Sequence, residues 1–273
     1  GLGGIGLTVA NWLVEHDARH LVLVSRSAPS ADVSSQLAEL QASGAEVHTM
    51  QADVADAEAL GRVLDTITTK LPPLVGVFHA AGVLDDGLLS QLDGDWVRQV
   101  MAPKANGAWQ LHELTRTLDL DLFVLFSSAT SVLGAPGQAN YAAANAYLDG
   151  LAHYRRGLGL PALSINWGAW ADVGMAAHGK QREHMAALGI TPMAPDLALA
   201  LLDQVLASAD TQVTAMQAEW PRLLQHFKLP MLEEMAAEQA GNVVGTREQG
   251  GLDLQARLRE LDDAARRAAI LEL

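Results

Sequence analysis

The hydrophobic residues of this chain fall into short, nearly continuous apolar runs separated by longer amphipathic stretches. The apolar runs are rich in Val, Leu, Ile and Phe, as strands buried on both faces of a sheet must be. They predict strands over residues 20–26, 45–54, 74–82, 120–130, 161–170 and 212–220. The stretches between them have helical spacing and predict helices near residues 31–43, 56–70, 91–117, 138–157 and 195–207. This alternation predicts an α/β fold, namely a Rossmann-like, doubly wound parallel sheet with helices on both faces.

The pattern changes after Trp220. Residues 229–250 are polar and interrupted by glycine, which predicts a linker. Residues 251–273 have helical periodicity again, up to the last residue. We therefore predict a domain over residues 1–228, a linker over 229–250 and the start of a following helical region over 251–273, all within a segment of a longer polypeptide.

Composition and charge exclude several classes of function. A net charge of −14 argues against binding to nucleic acid, which needs a basic face. The chain has no cysteine and no HExxH motif among its 9 histidines, so we predict no disulfide and no metal site. No apolar run approaches the roughly 20 residues of a membrane span, and no signal peptide leads the chain, which predicts a cytoplasmic protein without membrane contact.

The first six residues, GLGGIG, predict a loop that binds a pyrophosphate at the N-terminus of the following helix. A merely flexible N-terminus is the alternative interpretation. The spacing that follows favours the loop, because a strand arrives about fourteen residues later and ends at Ser25 and Arg26. An acidic residue at that place would favour NAD, whereas Arg26 suits the 2′-phosphate of NADP, unless it is only a solvated arginine.

Two further strand ends complete the predicted cofactor site. Asp53 is placed to accept a hydrogen bond from the adenine amine, although an aspartate there is equally suited to cap a helix. The sequence HAAG at 79–82 ends a strand with small residues, so a flat ring and a ribose can lie against the backbone, and a tight turn is compatible with this. The predicted cofactor-binding residues are Gly1, Gly3, Gly4, Ile5, Gly6, Ser25, Arg26, Asp53, Val54, Ala80, Ala81, Gly82 and Lys104.

Residues 127–147 contain a candidate acid–base set. Ser127 and Ser128 end a predicted strand, while Tyr141 and Asn145 lie one turn apart on the same face of a helix. A phenol with a pKa near 10 works poorly at neutral pH unless a nearby cation stabilises its anion. Lys104, in a neighbouring predicted helix, is the candidate for that cation. A lone tyrosine would be interpreted as packing, but this set beside a dinucleotide loop is more specific.

Together these features resemble the short-chain dehydrogenase/reductase superfamily, and specifically the ketoreductase (KR) domain of modular type I polyketide synthases. The resemblance covers about residues 1–228 and depends on GLGGIG, LVLVSR, ADV, FHAAGVLDDG, FSSATSVLGAPGQANYAAANAYLDGLA and SINWGAW. Most short-chain reductases have Tyr-x-x-x-Lys, whereas this sequence has Tyr141-x-x-x-Asn145 with its lysine at Lys104. That exchange is characteristic of the polyketide and fatty-acid synthase ketoreductases.

The resemblance implies that NADPH reduces the β-keto group of a ketoacyl thioester, carried on the phosphopantetheine of an acyl carrier protein among neighbouring synthase domains. It implies that Tyr141 is the general acid and that Ser128 holds the substrate carbonyl, with Ser127 the less fitting of the pair on spacing. Lys104 would lower the pKa of the tyrosine and bind the nicotinamide ribose, and Asn145 would position a proton-relay water. The alternatives are a redox-silent scaffold and an epimerising domain, and retention of the whole set disfavours both.

The sequence VLDDG also resembles a stereochemical marker of the family. Leu84, Asp85 and Asp86 match the Leu-Asp-Asp of B-type ketoreductases, which give the D-β-hydroxyl product, and Leu133 stands where A-type domains have tryptophan. Without the family context, a solvated acidic loop would explain both aspartates equally well. Residues 171–194 predict a mobile substrate lid, in which Met175 either contacts substrate or packs.

The resemblance also implies that the segment begins inside a motif. GLGGIG matches only the later part of the family pattern Thr-Gly-Gly-Leu-Gly-Gly-x-Gly, so the first strand of the sheet is expected to be missing. The opened sheet edge would leave backbone groups unpaired. We therefore expect the 273 residues alone to fold poorly and to bind NADPH weakly. The region from residue 251 resembles the approach to an acyl carrier protein, but it has no serine to bear phosphopantetheine.

Overall fold

The computed structural model describes residues 1–174 and 185–227, together with Leu229 and Leu232. The chain divides into two compact units. The first is Gly1–Ala218, and the second begins at Glu219, where a short helix is described. Met175, most of the predicted linker over 229–250 and all of the predicted region over 251–273 lie outside the described residues.

Strands form where the apolar runs predict them, although each is shorter than its run because the run continues into a loop. The parallel strands are β1 (His20–Ser25), β2 (Glu46–Gln51), β3 (Gly76–His79), β4 (Leu122–Ser128), β5 (Leu163–Trp167) and β7 (Gln212–Ala215). Two short strands, β6 (Ile190–Thr191) and β8 (Gln217–Ala218), pair antiparallel to each other. The parallel pairing confirms the predicted fold class.

The described parallel strands form two hydrogen-bonded groups, β1–β2 and β3–β4–β5–β7. Gly1 lies beside the carboxyl end of β1: a Cβ atom added to it would lie 3.0 Å from the carbonyl oxygen of Val24. At the end of β3, burial lowers the pKa of His79 to about 3, and the charge of Lys104 contributes to the same effect. The glycine loop therefore lies at the carboxyl edge of the sheet, where open α/β sheets bind their ligands.

The helices begin at caps that the sequence supplies. Ser30, Asp56 and Asp93 each accept a hydrogen bond from a backbone N–H in the first turn of the helix that follows. The helices are α1 (Gly4–Glu15), α2 (Ala31–Ala42), α3 (Ala57–Lys70), α4 (Gly94–Met101), α5 (Gly107–Thr115), α6 (Thr130–Leu133), α7 (Ala139–Gly157), α8 (Pro195–Leu206) and α9 (Trp220–His226). Among the described helices, none combines the length and the hydropathy that crossing a membrane requires.

The single helix predicted over residues 91–117 is instead two α-helices joined by a π-helical segment, Ala102–Asn106. Pro103 lies inside this segment and has no N–H to donate, so the regular ladder of the α-helix cannot pass through it. Such local widenings of a helix are frequent at functional sites. This one contains Lys104.

Core packing on both faces of β4 accounts for the layered fold. Phe123 and Leu125 pack with buried residues of α3, α5 and α7, whereas Val124 and Phe126 pack with buried residues of α1 and α8. Successive side chains of a strand point to opposite faces, so a strand covered on both sides must be apolar at every position. Only at its carboxyl end does β4 become polar, at Ser127 and Ser128, where the candidate site begins.

Candidate active site

The glycine loop leaves no room for side chains at one position. A Cβ atom on Gly6 would overlap the carbonyl oxygen of Gly1, well inside van der Waals contact. Gly3 caps α1 without a side-chain hydrogen bond, so the first N–H groups of this helix remain available to an anion. Gly4 and Ile5 are approached by Val173 and Gly174, at the start of the predicted lid. The loop thus has the close backbone approach that a dinucleotide pyrophosphate requires.

The ends of β1 and β2 lie beside this loop. Arg26 is exposed, and its carbonyl oxygen accepts a 2.8 Å hydrogen bond from Gln51 Nε2, which ties the two strand ends together. Asp53 Oδ1 accepts from the backbone N–H of Ala55 at 2.9 Å, so this carboxylate shapes the turn after β2. The helix that follows is capped by Asp56, not by Asp53, which removes the capping alternative for Asp53.

The small residues predicted to face the cofactor also lie at this edge. Ala80, Ala81 and Gly82 follow β3 directly and are half-buried. Val54 packs against Gly107, where an added Cβ would lie 2.7 Å from Val54 Cγ1. This close approach joins the turn after β2 to the start of α5, directly after the π-helical segment that contains Lys104. The predicted cofactor residues are therefore brought to one edge of the sheet, and together they fit an adenine dinucleotide.

Lys104 is buried beside the candidate tyrosine. Its Nζ donates a 2.8 Å hydrogen bond to the carbonyl oxygen of Phe126 in β4 and lies 5.6 Å from the ring centroid of Tyr141. Burial lowers the pKa of Lys104 to about 8, while the negative charge of Asp149 acts in the opposite direction. The structure thus brings the predicted cation to the predicted phenol, from an element 37 positions earlier in the chain.

Tyr141 lies in the first turn of α7. Burial raises the pKa of its phenol above the ordinary value, the side chains of Asn145 and Ser128 beside it act in the opposite direction, and the charge of Asp86 raises it further. The phenol is therefore protonated at neutral pH, which is the state that a proton donor needs.

The two serines at the end of β4 have different surroundings. Ser128 is half-buried, and its Oγ accepts hydrogen bonds from Thr130 N at 3.2 Å and Thr130 Oγ1 at 2.9 Å. Ser127 is buried and donates to the carbonyl oxygen of Asn145 at 3.2 Å. Consecutive strand residues point to opposite faces, so only one of the two can face Tyr141, and that residue is Ser128.

Asn145 presents one unused acceptor. Its Nδ2 donates to the carbonyl oxygen of Tyr141 at 2.7 Å, one turn back in α7. Its Oδ1 is buried and has no hydrogen-bond partner among the described residues. Buried polar atoms are nearly always paired with protein or with water, so this oxygen is suited to accept from a water molecule or a ligand.

Residues 84–87 form a loop that is pinned to the start of α7, the pinned loop. Gln138 Nε2 donates to both carboxylate oxygens of Asp86, at 3.0 and 3.2 Å. Asn140 Nδ2 donates to the carbonyl oxygen of Asp85 at 2.9 Å, and Trp96 Nε1 donates to the same oxygen at 3.2 Å. The pinned loop is therefore held against the residues that precede Tyr141, so the alternative of a merely solvated acidic loop does not apply to it. Sequence reasoning missed Gln138, although its place three residues before Tyr141 was visible.

The two leucines of the stereochemical prediction lie apart in the chain but near the same helix. Leu84 is half-buried in the pinned loop. Leu133 is half-buried at the end of α6, which packs against α7. Neither residue makes a contact that itself identifies the product.

The comparison with known families decides the class of this site. Residues 1–172 match the family model described as the KR domain. The chain belongs to the KR domain family. Its KR domain has relatives among polyketide synthases: the phenolphthiocerol synthesis polyketide synthase type I Pks15/1 of Mycobacterium marinum is 42% identical over 226 residues, which cover 81% of this chain and 11% of the relative. Polyketide synthase GfsE of Streptomyces halstedii is 46% identical over 213 residues, which cover 76% of this chain and 6% of the relative.

Solved ketoreductases share the fold of this KR domain. One described as the structure of A-type ketoreductases from a modular polyketide synthase is 44% identical, with a TM-score of 0.79, over 83% of this chain and 48% of that chain. The first ketoreductase of the tylosin PKS is 40% identical, with a TM-score of 0.75, over 82% of this chain and 49% of that chain. This chain is thus a ketoreductase domain of the polyketide synthase type, and it spans about half the length of these solved chains.

Proposed function

We propose that this KR domain uses NADPH to reduce the β-keto group of a ketoacyl thioester, carried on the phosphopantetheine of an acyl carrier protein, to a hydroxyl. The observation that supports it most directly is the buried Lys104 ammonium, 5.6 Å from the centroid of the Tyr141 ring. A cation at this place stabilises negative charge on a phenol and has no evident packing purpose. The relatives are polyketide synthases, and in such an assembly the partners would be neighbouring synthase domains in the cytoplasm.

The residues of the site divide the work of reduction. When bound, NADPH supplies the hydride. Ser128 Oγ holds the substrate carbonyl by a hydrogen bond, and Tyr141 gives its proton to the oxygen of that carbonyl as negative charge develops there. Lys104 stabilises the phenolate left on Tyr141 and binds the nicotinamide ribose. Asn145 Oδ1 accepts a hydrogen bond from the water through which Tyr141 regains a proton.

Two other roles compete with reduction, a redox-silent scaffold and an epimerising domain that binds NADPH without net reduction. The joint presence of Lys104, Ser128, Tyr141 and Asn145 at one sheet edge favours reduction over both. Loss of NADPH absorbance on adding a β-ketoacyl thioester to the full-length protein distinguishes them. Reduction predicts turnover, whereas a scaffold or an epimerase leaves the absorbance unchanged.

Replacing Arg26 by alanine should reduce the preference for NADPH over NADH. In this proposal the exposed guanidinium that follows β1 pairs with the 2′-phosphate of NADPH. An interaction worth about 1.4 kcal/mol corresponds to roughly a tenfold change in the ratio of the kcat/KM values for the two cofactors. Arg19 precedes β1 and is also exposed, so Arg19→Ala is the matched control and should leave the ratio unchanged. If Arg26→Ala leaves the ratio of the kcat/KM values for NADPH and NADH unchanged, Arg26 does not contact the 2′-phosphate.

Within this proposal the product has the D configuration at the β-carbon. Leu84, Asp85 and Asp86 in the pinned loop support this configuration, and so does Leu133, which stands where A-type domains have tryptophan. Overall similarity does not choose the product, because a solved relative at 44% identity is described as A-type. Chiral chromatography of the product from a matched thioester measures the outcome directly. A dominant L-hydroxyl would show that the domain is not B-type.

A further inference from the structure

A buried carboxylate lies behind the candidate catalytic residues and plays no part in the mechanism above. Asp149 lies on α7, two turns after Tyr141, and only 7% of its surface is exposed. Its Oδ1 accepts from Ser164 Oγ at 2.6 Å, and its Oδ2 accepts from Ser131 Oγ at 2.7 Å and Asn166 Nδ2 at 2.8 Å. These donors are all neutral. The carboxylate is therefore well hydrogen-bonded, but its charge is not balanced by any of them.

The hydrogen bonds of Asp149 continue to the end of β4. Asn166 Nδ2 also contacts Ser127 Oγ at 3.0 Å, and Asn166 Oδ1 accepts from Gln212 Nε2 at 3.0 Å. Ser127 in turn donates to the backbone of Asn145. One network thus joins β4, β5, β7 and α7 directly behind Ser128. Ser127, Asp149, Ser164 and Asn166 are buried in this network, where each unpaired polar group would be costly.

Lys104 is a buried positive charge at the same strand end: its Nζ donates to the carbonyl oxygen of Phe126, and the hydrogen bonds of Asp149 reach Ser127, the next residue of β4. Lys104 is 3% exposed, its one described hydrogen bond goes to a neutral carbonyl, and within the described residues neither it nor Asp149 makes an ion pair shorter than 4.0 Å. Burying an ammonium in such a place is unfavourable unless a negative charge lies nearby. We propose that Asp149 is a positioning residue: its buried negative charge balances that of Lys104, and its hydrogen bonds fix the strand end that carries Ser128.

This inference rests on the proposed function, since it assigns Asp149 a role through Lys104 and Tyr141. The titratable groups that face Lys104 are Tyr141 and Asp149 from α7 and His79 from β3, and Asp86 acts on Tyr141 from the pinned loop. Burial lowers the pKa of His79 to about 3, and burial raises the pKa of Tyr141, so neither changes its charge near neutral pH. Burial lowers the pKa of Lys104 to about 8, so its charge changes on the alkaline side of neutral pH.

The test is the pH profile of kcat/KM for ketoacyl reduction by the full-length protein. The active form has a protonated Lys104, so activity falls as pH rises through the pKa of that residue. In Asp149→Asn the opposing charge is lost, the pKa of Lys104 falls further, and the alkaline limb should move about one unit to lower pH. On that limb the variant is then about tenfold less active than wild type at the same pH. Ser164→Ala is the matched control, because it removes one hydrogen bond and leaves the charge.

The outcomes separate this inference from the proposed function. No turnover by wild type refutes the proposed function itself. Turnover with the alkaline limb shifted in Asp149→Asn and unshifted in Ser164→Ala supports the role of Asp149, whatever both variants lose in thermal stability. Equal limbs in wild type and Asp149→Asn overturn it. If Asn at this position prevents folding, Asp149→Ser provides the same neutral test, and failure of both neutral variants to fold would make Asp149 a folding residue only and overturn the proposal.

Discussion

Replacing Tyr141 by phenylalanine is expected to lower kcat for ketoacyl reduction by a factor of about 100 to 10,000, the usual contribution of a positioned general acid. The ring still fills its place in α7, but the phenol that gives its proton to the substrate oxygen is absent. Because the ring stays in place, we expect the variant to fold and to bind NADPH as wild type does. Steady-state kinetics with a β-ketoacyl thioester, together with an NADPH titration, measure both quantities.

The same helix supplies the control for this experiment. Tyr147 lies less than two turns after Tyr141, is 37% exposed and makes none of the contacts described for the site. Tyr147→Phe removes an identical hydroxyl and should retain wild-type kcat. A Tyr141→Phe enzyme that turns over as fast as Tyr147→Phe would remove Tyr141 from the mechanism.

Replacing Gly6 by alanine is expected to weaken NADPH binding by on the order of 100-fold, because relieving a steric overlap of this kind typically costs about 1–3 kcal/mol. The added methyl group would overlap the carbonyl oxygen of Gly1, so the loop must move before the helix N-terminus can approach a pyrophosphate. Fluorescence titration of the full-length protein with NADPH gives the dissociation constants.

A second glycine separates this effect from the general consequences of adding a methyl group. Gly61 lies in α3, and a Cβ atom there would meet nothing within 4 Å. Gly61→Ala should bind NADPH with wild-type affinity, and its helix should gain slightly in stability. Equal affinity for Gly6→Ala and Gly61→Ala would show that GLGGIG does not bind the pyrophosphate.

Much of the fold was predictable because it depends on local pattern. A strand such as β4 is buried on both faces, so its apolar run is continuous and visible in the sequence. The same is true of Tyr141 and Asn145, whose spacing places them on one helix face without knowledge of the rest of the chain. The polar ends of strands predicted the edge of the sheet at which the candidate site lies.

The remaining features depend on register and on distant pairing, which the sequence does not display. Asn166 meets Ser127 because β5 pairs with β4 in a register that places these two residues side by side. Asp149 therefore has the appearance of an ordinary polar helix residue until that pairing is known. The π-helical turn that aims Lys104 at Phe126 was likewise missed, since helical periodicity continues on both sides of it.

The bond between Gln138 and Asp86 has a consequence for engineering. Exchanging only residues 84–86 between ketoreductases of different product configuration would leave the amide at position 138 buried without its acceptor, or a new loop without its anchor. A chimera should therefore carry both segments, the loop after β3 and the turn that leads into α7. The unit of exchange is a pair of segments that lie 52 positions apart in the chain.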